Sequence, residues 1–247
     1  MRMKLLAGAA AIALTGCAAA RESGAPAPGM PAAAAAAPTQ VRIIAFNDFH
    51  GNLQPPGVSV NVAREGGGDP LRVPAGGVAY LASAIDRLRT GHPNHAVVAA
   101  GDMIGASPLV SSMFLDEPTI HAMNLIRVDY NAVGNHEFDR GAQELLRMQR
   151  GGCEQHTGAQ PCRLEPFGGA RFNFLAANVR GPGGEPLLPA YGIRTYGSGA
   201  NAVKVAFIGM TTVETPSLVT PSGVQGLSFV DEAETVNALI PRLRAEG

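Results

Sequence analysis

Short apolar runs that stop at polar loops recur along this chain. The first run, residues 43–46, leads into Asn47 and predicts a buried strand of a parallel sheet. Comparable runs predict further strands at residues 95–100, 129–133, 172–176 and 202–209. In an open α/β sheet, ligands bind beyond the carboxyl ends of such strands, so the polar loops that follow them are the places to look for a site.

Amphipathic stretches separate these runs. Apolar residues recur at helical spacing from Val78 to Leu88, with charged residues on the other face, which predicts a helix. A second helix is predicted to begin with Asp116 as its N-cap and to run to about Ile126. Further helices are predicted at residues 141–149 and 231–245. Strands that alternate with helices predict an α/β domain built on a largely parallel sheet.

A Gly- and Pro-rich loop of about residues 54–77 follows the first strand. It is long for a connection within a compact domain. Loops of this length serve as functional lids or are simply mobile insertions, and the sequence leaves both interpretations open.

Polar side chains of metal-binding type follow three of the predicted strands. Asp48 and His50 follow the first strand, Asp102 follows the second, and Asn135 and His136 follow the third. Side chains two apart on an extended segment point the same way, so Asp48 and His50 can converge on one point. Because this placement recurs at three strand ends, we expect these side chains to form one site.

Carboxylate, imidazole and amide groups together suit divalent ions such as Mn, Fe, Zn, Co or Mg. No cysteine lies in this cluster, which argues against a structural thiolate zinc site. Asp102, at the middle of the three strand ends, is the best candidate for a ligand that bridges two ions. Such a pair of ions activates a water molecule and clamps the oxygens of a phosphoryl group during in-line displacement.

His136 and Asp139 are three residues apart at a predicted helix entrance. At this spacing a carboxylate can orient an imidazole. The pair could protonate the leaving oxygen or stabilise charge on the phosphoryl group. Alternatively, His136 only caps the helix or ligates metal.

The 247 residues carry a formal net charge of −1, so nothing in the charge balance suggests a nucleic acid polymer as a partner. The apolar content and the length fit one moderately large domain. The oligomeric state is not indicated.

The first forty residues have a different character from the rest. Residues 1–16 combine a basic start with a short apolar run and predict an export signal. The letters LTGC that end at Cys17 resemble the lipobox of bacterial lipoproteins, which implies lipidation of Cys17; an ordinary secretory signal is the alternative. Residues 17–40 are rich in Ala and Pro and predict a tether. We therefore expect an exported protein, lipid-anchored to a bacterial membrane and facing the periplasm or the cell exterior.

Two cysteines, Cys153 and Cys162, bracket a polar loop. In an exported protein this arrangement predicts a disulfide. A metal site that also uses His156 is the less favoured alternative, because the loop is far in sequence from the other candidate ligands.

Three sequence blocks resemble those of the calcineurin-like metallophosphoesterases. They are the Asp48-x-His50 block, the GDMIG block that contains Asp102, and the GNHEFDxG block that runs from Gly134 to Gly141. The long form of the third block is similar to the 5′-nucleotidase branch of the family. The FLAANV segment at residues 174–179 also resembles a strand motif of that branch.

The resemblance implies a fold, a ligand set and a catalytic pair. The implied fold is a four-layer α-β-β-α sandwich with two mixed sheets. Asp48 and His50 would bind the first ion, Asp102 would bridge the two ions, and Asn135 would bind the second ion. His136 with Asp139 would be the catalytic pair.

The resemblance breaks down towards the end of the chain. Members of the family complete the metal site with later histidines, in segments similar to S-H-x-G and G-H-[ST]-H, and the sequence contains no histidine after His156. We therefore expect residues 41–247 to be a metallophosphoesterase domain that is incomplete at its C-terminus, the first part of a longer enzyme. We expect this chain alone to be weakly active or inactive.

The leading functional hypothesis is hydrolysis of nucleoside 5′-monophosphates or related nucleotides by a water activated between two metal ions. Other activities of the same family are close alternatives, namely 2′,3′-cyclic nucleotide phosphodiesterase, nucleotide-sugar hydrolase or thiosulfohydrolase. A non-catalytic lipoprotein that keeps the fold is an alternative of a different class.

Overall fold

The computed structural model describes residues Pro38–Gly247. The predicted signal peptide, Cys17 and most of the predicted tether lie outside the described residues. The strands, in chain order, are β1 (Arg42–Phe46), β2 (Ser59–Val62), β3 (Leu71–Pro74), β4 (His95–Ala99), β5 (Tyr130–Ala132), β6 (Asn173–Leu175), β7 (Val179–Arg180), β8 (Tyr191–Tyr196), β9 (Val203–Ile208) and β10 (Ser228–Phe229). The helices are α1 (Val78–Arg89), α2 (Leu109–Ser112), α3 (Glu117–Ile126), α4 (Ala142–Arg150), α5 (Thr215–Leu218) and α6 (Glu232–Ala245), with short 3₁₀ helices at His136–Phe138, Gly199–Asn201 and Pro221–Val224.

Four parallel strands form the largest sheet of the described residues, in the order β1-β4-β5-β6. The register pairs Ile44 with Val97, and Asn131 with Phe174. Helices α1, α3 and α4 lie in the successive connections between these strands, as crossovers between parallel strands require. Because the strands are parallel, the loops that follow β1, β4 and β5 emerge at the same edge of the sheet.

Antiparallel pairs complete the strand pairing of the described residues. They are β2 with β3, β8 with β9, and β7 with β10. The chain therefore has an α/β fold with both parallel and antiparallel sheets, which confirms the predicted mixed class. One detail of the prediction was wrong: β9, predicted as part of a largely parallel sheet, pairs antiparallel with β8, a strand that the apolar pattern did not predict.

The core packs helices α3 and α4 against the four-stranded sheet. Ile120 and Met123 of α3, Leu145 of α4 and Phe174 of β6 are fully buried there. Burying a side chain of this size contributes about 1.5–3 kcal/mol. Phe138 is fully buried in the same cluster, so the core anchors the loop that carries His136 and Asp139.

Asp116 is the N-cap residue of α3, as predicted, but its side chain does not make the capping hydrogen bond that an aspartate usually provides at this position. Asp116 has a left-handed backbone with φ of 64°, and its side chain makes no capping hydrogen bond. Its buried carboxylate instead accepts a hydrogen bond from Ser111 Oγ at 2.7 Å and forms an ion pair with Arg140. A buried carboxylate needs such partners to offset its desolvation, and these contacts turn the side chain away from the helix.

The predicted long loop at residues 54–77 contains the β2–β3 hairpin. All the residues of β2 are exposed, as are all but one of those of β3, so the hairpin has no buried face that would produce an alternating apolar pattern. Within Pro38–Gly247, no helix has the length and apolar character needed to cross a membrane.

Candidate metal centre

The loops after β1 and β4 are bound to each other through their backbones. The N–H of Asp48 donates to the carbonyl of Gly101 at 3.1 Å, and the N–H of His50 donates to the carbonyl of Asp102 at 2.9 Å. Asp48, His50 and Asp102 all have left-handed backbones, with φ of 51°, 45° and 51°. Non-glycine residues rarely adopt this conformation, and it is concentrated at functional sites.

The side chains of Asp48, His50 and Asp102 converge. One ligand atom from each lies within 4.8 Å of the others, a spacing at which one ion could be held. His50 Nδ1 is 2.9 Å from the carbonyl oxygen of Gly105. Because a carbonyl oxygen only accepts hydrogen bonds, Nδ1 carries the proton. The lone pair of Nε2, which lies 3.6 Å from Asp48 Oδ1, is then available to a metal.

This donor set fits a divalent ion. It offers two carboxylates and one imidazole whose orientation is fixed by a backbone carbonyl, which suits a hard to borderline divalent cation. The fold and these three residues therefore support the predicted use of divalent metal. The number of ions and their identity stay predictions.

Asp102 is held by the loop that follows β5. Its Oδ1 atom accepts a hydrogen bond from the backbone N–H of His136 at 2.9 Å. The same oxygen lies against Gly134, where a Cβ would be only 2.2 Å from it. A glycine at position 134 is therefore required for the close approach between the two loops.

Glu137 ties these loops together and is a residue to which the sequence reasoning gave no role. Its Oε1 accepts hydrogen bonds from Met103 N at 2.8 Å and Asn131 Nδ2 at 3.2 Å. Its Oε2 accepts from Asp102 N at 3.0 Å and Gly134 N at 2.7 Å. The sequence signal for this role was an acidic residue directly before a large apolar residue in the third block. The signal was not sufficient, because most of the groups that bond to Glu137 are distant from it in sequence.

The environment of Glu137 opposes its ionisation. Burial and the nearby negative charge of Asp102 raise the pKa of Glu137 to about 7, although its backbone N–H partners favour the ionised form. Its carboxyl group therefore acts as a hydrogen-bonded clamp beneath the candidate ligands rather than as an exposed ligand.

His136 and Asp139 form a hydrogen-bonded pair beside the metal centre. His136 Nδ1 lies 2.9 Å from Asp139 Oδ2, and that oxygen also accepts a hydrogen bond from Ala106 N at 3.1 Å. The rings of His136 and His50 meet edge to face with centroids 5.0 Å apart. The side chain of His136 therefore bonds Asp139 and does not cap the following helical turn.

Two effects act in opposite directions on the imidazole of His136. Burial lowers the pKa of His136, but the hydrogen bond that His136 donates to Asp139 and the negative charges of the surrounding carboxylates raise it by more. The protonated form of His136 is thus favoured relative to an isolated histidine.

Asn135 lies in the same loop, between Gly134 and His136, both of which contact Asp102. Its backbone carbonyl accepts a hydrogen bond from Phe138 N at 3.0 Å, which closes the 3₁₀ turn. Its role as a ligand of a second ion stays a prediction.

Cys153 and Cys162 form a disulfide with a Cα–Cα distance of 5.5 Å. The N–H of Cys162 donates to Glu117 Oε1 at 3.0 Å, which ties the end of the bracketed loop to α3. Since the two sulfur atoms are bonded to each other, they do not form the alternative metal site with His156.

A parallel sheet whose strand ends bring together two carboxylates and an imidazole, beside a histidine–aspartate pair, defines a metal-dependent hydrolytic site. A family model agrees with this description: the model for calcineurin-like phosphoesterases matches residues 41–235, and the chain belongs to this family.

The chain is similar to several known proteins. It is 53% identical over 161 residues to an uncharacterized protein of Acinetobacter calcoaceticus, covering 64% of this chain and 79% of that protein. It is 36% identical over 208 residues to endonuclease YhcR of Bacillus subtilis, covering 84% of this chain. The crystal structure of a 5′-nucleotidase precursor from Thermus thermophilus superposes with a TM-score of 0.60 at 27% identity, covering 84% of this chain. The chain spans only 16% of the endonuclease and 35% of the nucleotidase.

Proposed function

We propose that this chain carries the metal centre of a phosphoesterase that hydrolyses nucleoside 5′-monophosphates or related nucleotides. The observation that carries the proposal is the convergence of Asp48, His50 and Asp102 within 4.8 Å, beside the hydrogen-bonded pair of His136 and Asp139. The similarity to a 5′-nucleotidase supports a nucleotide substrate. A phosphate group would bind where metal and His136 meet.

The candidate ligands divide between two ions. Asp48 and His50 would hold the first ion, Asp102 would bridge, and Asn135 would hold the second ion. When bound, such a pair supplies positive charge to the phosphoryl oxygens and makes water a better nucleophile. The hydrogen bond that His50 Nδ1 donates to the carbonyl of Gly105 and the one that the backbone N–H of His136 donates to Asp102 Oδ1 position these groups before any substrate arrives.

His136 is the proposed proton donor. With Nδ1 bonded to Asp139, its Nε2 is free to carry a proton towards the leaving oxygen of the substrate. Asp139 fixes the ring orientation and stabilises the protonated imidazole, and Ala106 N–H holds Asp139 in place. Phosphoryl transfer depends mainly on positioning and charge neutralisation, which this arrangement can supply.

Export is part of the proposal. A disulfide between Cys153 and Cys162 is typical of proteins in oxidising compartments. Together with the predicted signal and lipidation at Cys17, it supports a lipid-anchored protein that meets nucleotides outside the cytoplasm.

Phosphate release from 5′-AMP with manganese tests the proposal. We expect slow, metal-dependent release that falls to background in Asp102→Ala, because loss of a metal ligand removes the charge that stabilises the transition state. Asp86→Ala, an exposed carboxylate on α1, is the control and should behave as the unmodified chain. Measurable phosphate release that is equal in both variants, or release that persists in EDTA, would refute the proposed function.

A second candidate is hydrolysis of a phosphodiester, which the similarity to an endonuclease favours. The same centre could serve, since a diester needs the same clamp on its phosphoryl oxygens. A protein that binds a nucleic acid polymer through its phosphates usually carries an excess of positive charge, whereas this chain has a net charge of −1. We therefore favour 2′,3′-cyclic AMP over single-stranded DNA as the diester substrate. Parallel assays of these substrates and 5′-AMP distinguish the candidates.

A non-catalytic role remains the alternative of a different class. In that case Asp102→Ala would change only the stability of the protein. Neither the unmodified chain nor its variants would hydrolyse a phosphate monoester or diester in the presence of manganese.

A further inference from the structure

The edge of the four-stranded sheet opposite the candidate metal centre carries exposed arginines and leucines. Helices that connect parallel strands run back along the sheet, so α1 and α3 end at the edge where the strands begin. Three exposed arginines at this edge take part in none of the ion pairs formed within Pro38–Gly247. Together with two exposed leucines they form a surface that we call the basic end, which consists of Arg87, Leu88, Leu125, Arg127 and Arg171.

Hydrogen bonds hold the basic end together. Arg89 of α1 donates to the carbonyl of Ile126 at 2.7 Å, which brings the C-terminal ends of α1 and α3 side by side. The N–H of Arg171 donates to Asn124 Oδ1 at 2.7 Å. Leu125 and Arg171 line the same groove, which has a volume of about 280 Å³. The two helix ends and the groove therefore form one continuous surface.

Charge is distributed unevenly between the two edges of the sheet. The edge with the candidate metal centre carries the carboxylates of Asp48, Asp102, Glu137 and Asp139. The carboxylates near the basic end have partners already: Asp86 pairs with Arg89, Asp129 pairs with Arg194, and Glu165 lies beside His121. A chain with a net charge of −1 thus has a basic surface at one end, and this surface is complementary to an anionic partner.

Compensation of the helix dipoles explains only part of this surface. A basic residue near the C-terminus of a helix is favourable, which accounts for Arg87 and Arg127. Dipole compensation requires neither Arg171 nor the leucines, yet Leu125 is 80% exposed and Leu88 is 47% exposed. Leucines that lie among arginines can enter the boundary region of a bilayer while the guanidiniums meet the lipid phosphates.

The chain enters the fold at the basic end. The first strand begins at Arg42, whose guanidinium donates to the carbonyl of Leu88 at 2.8 Å. Residues 18–37 separate the described part of the chain from Cys17, the proposed site of lipidation, and can reach at most about 70 Å. A lipid on Cys17 would therefore keep the folded part near a bilayer without fixing which surface faces it.

We propose that the basic end is a docking surface for a bilayer that contains anionic lipids. Arg87, Arg127 and Arg171 would bind the lipid phosphates. Leu88 and Leu125 would enter the boundary between headgroups and acyl chains. Because the metal centre lies at the other edge of the sheet, docking would turn it towards the aqueous phase. Docking rests on the proposed lipid anchor and not on the proposed hydrolytic activity.

The test measures which end of the lipidated full chain lies on vesicles. Leu125→Cys and Leu109→Cys each place a bimane fluorophore at an exposed leucine, the first in the basic end and the second, 70% exposed, beyond the loop of Asp102. The vesicles are phosphatidylcholine with or without phosphatidylglycerol, and their headgroups carry a nitroxide quencher. The unmodified chain, treated in the same way, gives the labelling background, since Cys153 and Cys162 are bonded to each other.

We expect phosphatidylglycerol to increase quenching at residue 125 by at least about threefold, because each arginine near an anionic surface favours binding by about fivefold. Quenching at residue 109 should stay low on both kinds of vesicle. Salt at about 1 M should remove the increase at residue 125, because the Debye length falls to about 3 Å. The salt titration requires no arginine variant, so it tests docking independently of any effect of substitution on folding.

Two pairs of substitutions that remove equal charge test the residues. Arg127→Gln with Arg171→Gln should weaken docking by about twenty- to thirtyfold and return quenching at residue 125 to its level on phosphatidylcholine. Arg64→Gln with Arg72→Gln is the matched control, since both arginines are exposed in the segment of the β2–β3 hairpin, and it should leave quenching unchanged. Circular dichroism checks that each variant is folded.

The outcomes separate docking from the lipid anchor. Equal quenching at residues 125 and 109 on anchored chains would overturn the docking surface and leave the anchor standing. A chain that sediments with neither kind of vesicle would overturn both. Quenching that persists in Arg127→Gln with Arg171→Gln would overturn the assignment to these arginines. Phosphate release from 5′-AMP tests the hydrolytic proposal separately.

Other occupants of the basic end would give a different fluorescence response. A bimane signal at residue 125 that responds to single-stranded DNA and not to anionic vesicles would assign the surface to a nucleic acid polymer. A signal that responds to protein concentration in the absence of vesicles would assign it to a second copy of the chain. Either result would overturn the proposed docking on a bilayer.

Discussion

The position of Asp102 depends on the absence of a side chain at residue 134. A Cβ on Gly134 would lie only 2.2 Å from Asp102 Oδ1. The same oxygen accepts a hydrogen bond from the backbone N–H of His136. An added methyl group must therefore displace either the carboxylate or the loop. Since Asp102 is the candidate bridging ligand, a small steric change here acts directly on metal affinity.

We expect Gly134→Ala to weaken Mn²⁺ binding by about ten- to a hundredfold, the usual effect of disturbing a group that positions a ligand. Paramagnetic relaxation or calorimetry would measure this change. Gly158→Ala is the control, because a Cβ at residue 158 meets no atom within 4 Å. Unchanged affinity in Gly134→Ala would show that Asp102 does not bind the ion.

Glu137 is expected to control stability through its hydrogen bonds. Each carboxylate oxygen accepts two N–H groups, so in Glu137→Gln two donors must face the amide NH₂ whichever way it turns. We expect a loss of about 1–3 kcal/mol in the free energy of unfolding, measured by denaturant titration. Glu165→Gln, an exposed carboxylate, should change it by less than about 0.5 kcal/mol. Similar small effects of both substitutions would contradict the role of Glu137.

The difference between Asp102 and Glu137 shows what the sequence could reveal about the site. Asp48, His50 and Asp102 follow apolar runs directly, so strand prediction alone brought them to one sheet edge. Glu137 bonds to the backbone of Asp102 and Met103, which lie 35 and 34 residues earlier in the chain. Every residue except proline has a backbone N–H, so residue identity does not show which N–H groups a side chain will bind. The hydrogen bonds of Glu137 therefore could not be predicted from the sequence.

At the scale of elements, the predicted strands and helices are those whose sequences carry an apolar run or apolar residues at helical spacing. β1, β4 and β5 lie within one residue of the predicted runs, and α1 begins and ends as its periodicity predicts. The β2–β3 hairpin was missed because almost all its residues are exposed. β8 was missed because Gly192, Arg194 and Thr195 interrupt its apolar residues. These strands form through hydrogen bonding to a neighbouring strand, and their sequences carry no clear apolar pattern.

The disulfide-closed loop is the element whose contribution to stability is easiest to isolate. Replacing both cysteines, as Cys153→Ser with Cys162→Ser, should lower the free energy of unfolding by roughly 2–3 kcal/mol, because the unfolded chain regains the freedom of a short open loop. Reductant should lower the stability of the unmodified chain by a similar amount and leave the double variant unaffected. A reductant effect of equal size on both proteins would mean that another process is being measured.

At the scale of the whole molecule, the candidate metal centre can form only in the folded chain. Its ligands come from loops separated by some fifty residues of sequence, and the parallel sheet brings them together. Any ion held there therefore stabilises the folded state by mass action, by about 2.7 kcal/mol at a concentration one hundred times its Kd. For a chain of this length, that corresponds to about 5–10 °C in the midpoint of thermal unfolding.

We therefore expect millimolar Mn²⁺ to raise Tm by several degrees, EDTA to reverse the rise, and Asp102→Ala to abolish it while Asp86→Ala retains it. The concentration dependence is as informative as the size of the shift. The resemblance implies that further histidine ligands follow the third block, and the sequence carries no histidine after His156, so we expect the shift to begin well above micromolar Mn²⁺. Saturation at micromolar metal would show that Asp48, His50, Asp102 and their loop partners suffice for tight binding. An unmoved Tm at millimolar metal would show that the convergence of these three side chains does not make a metal site.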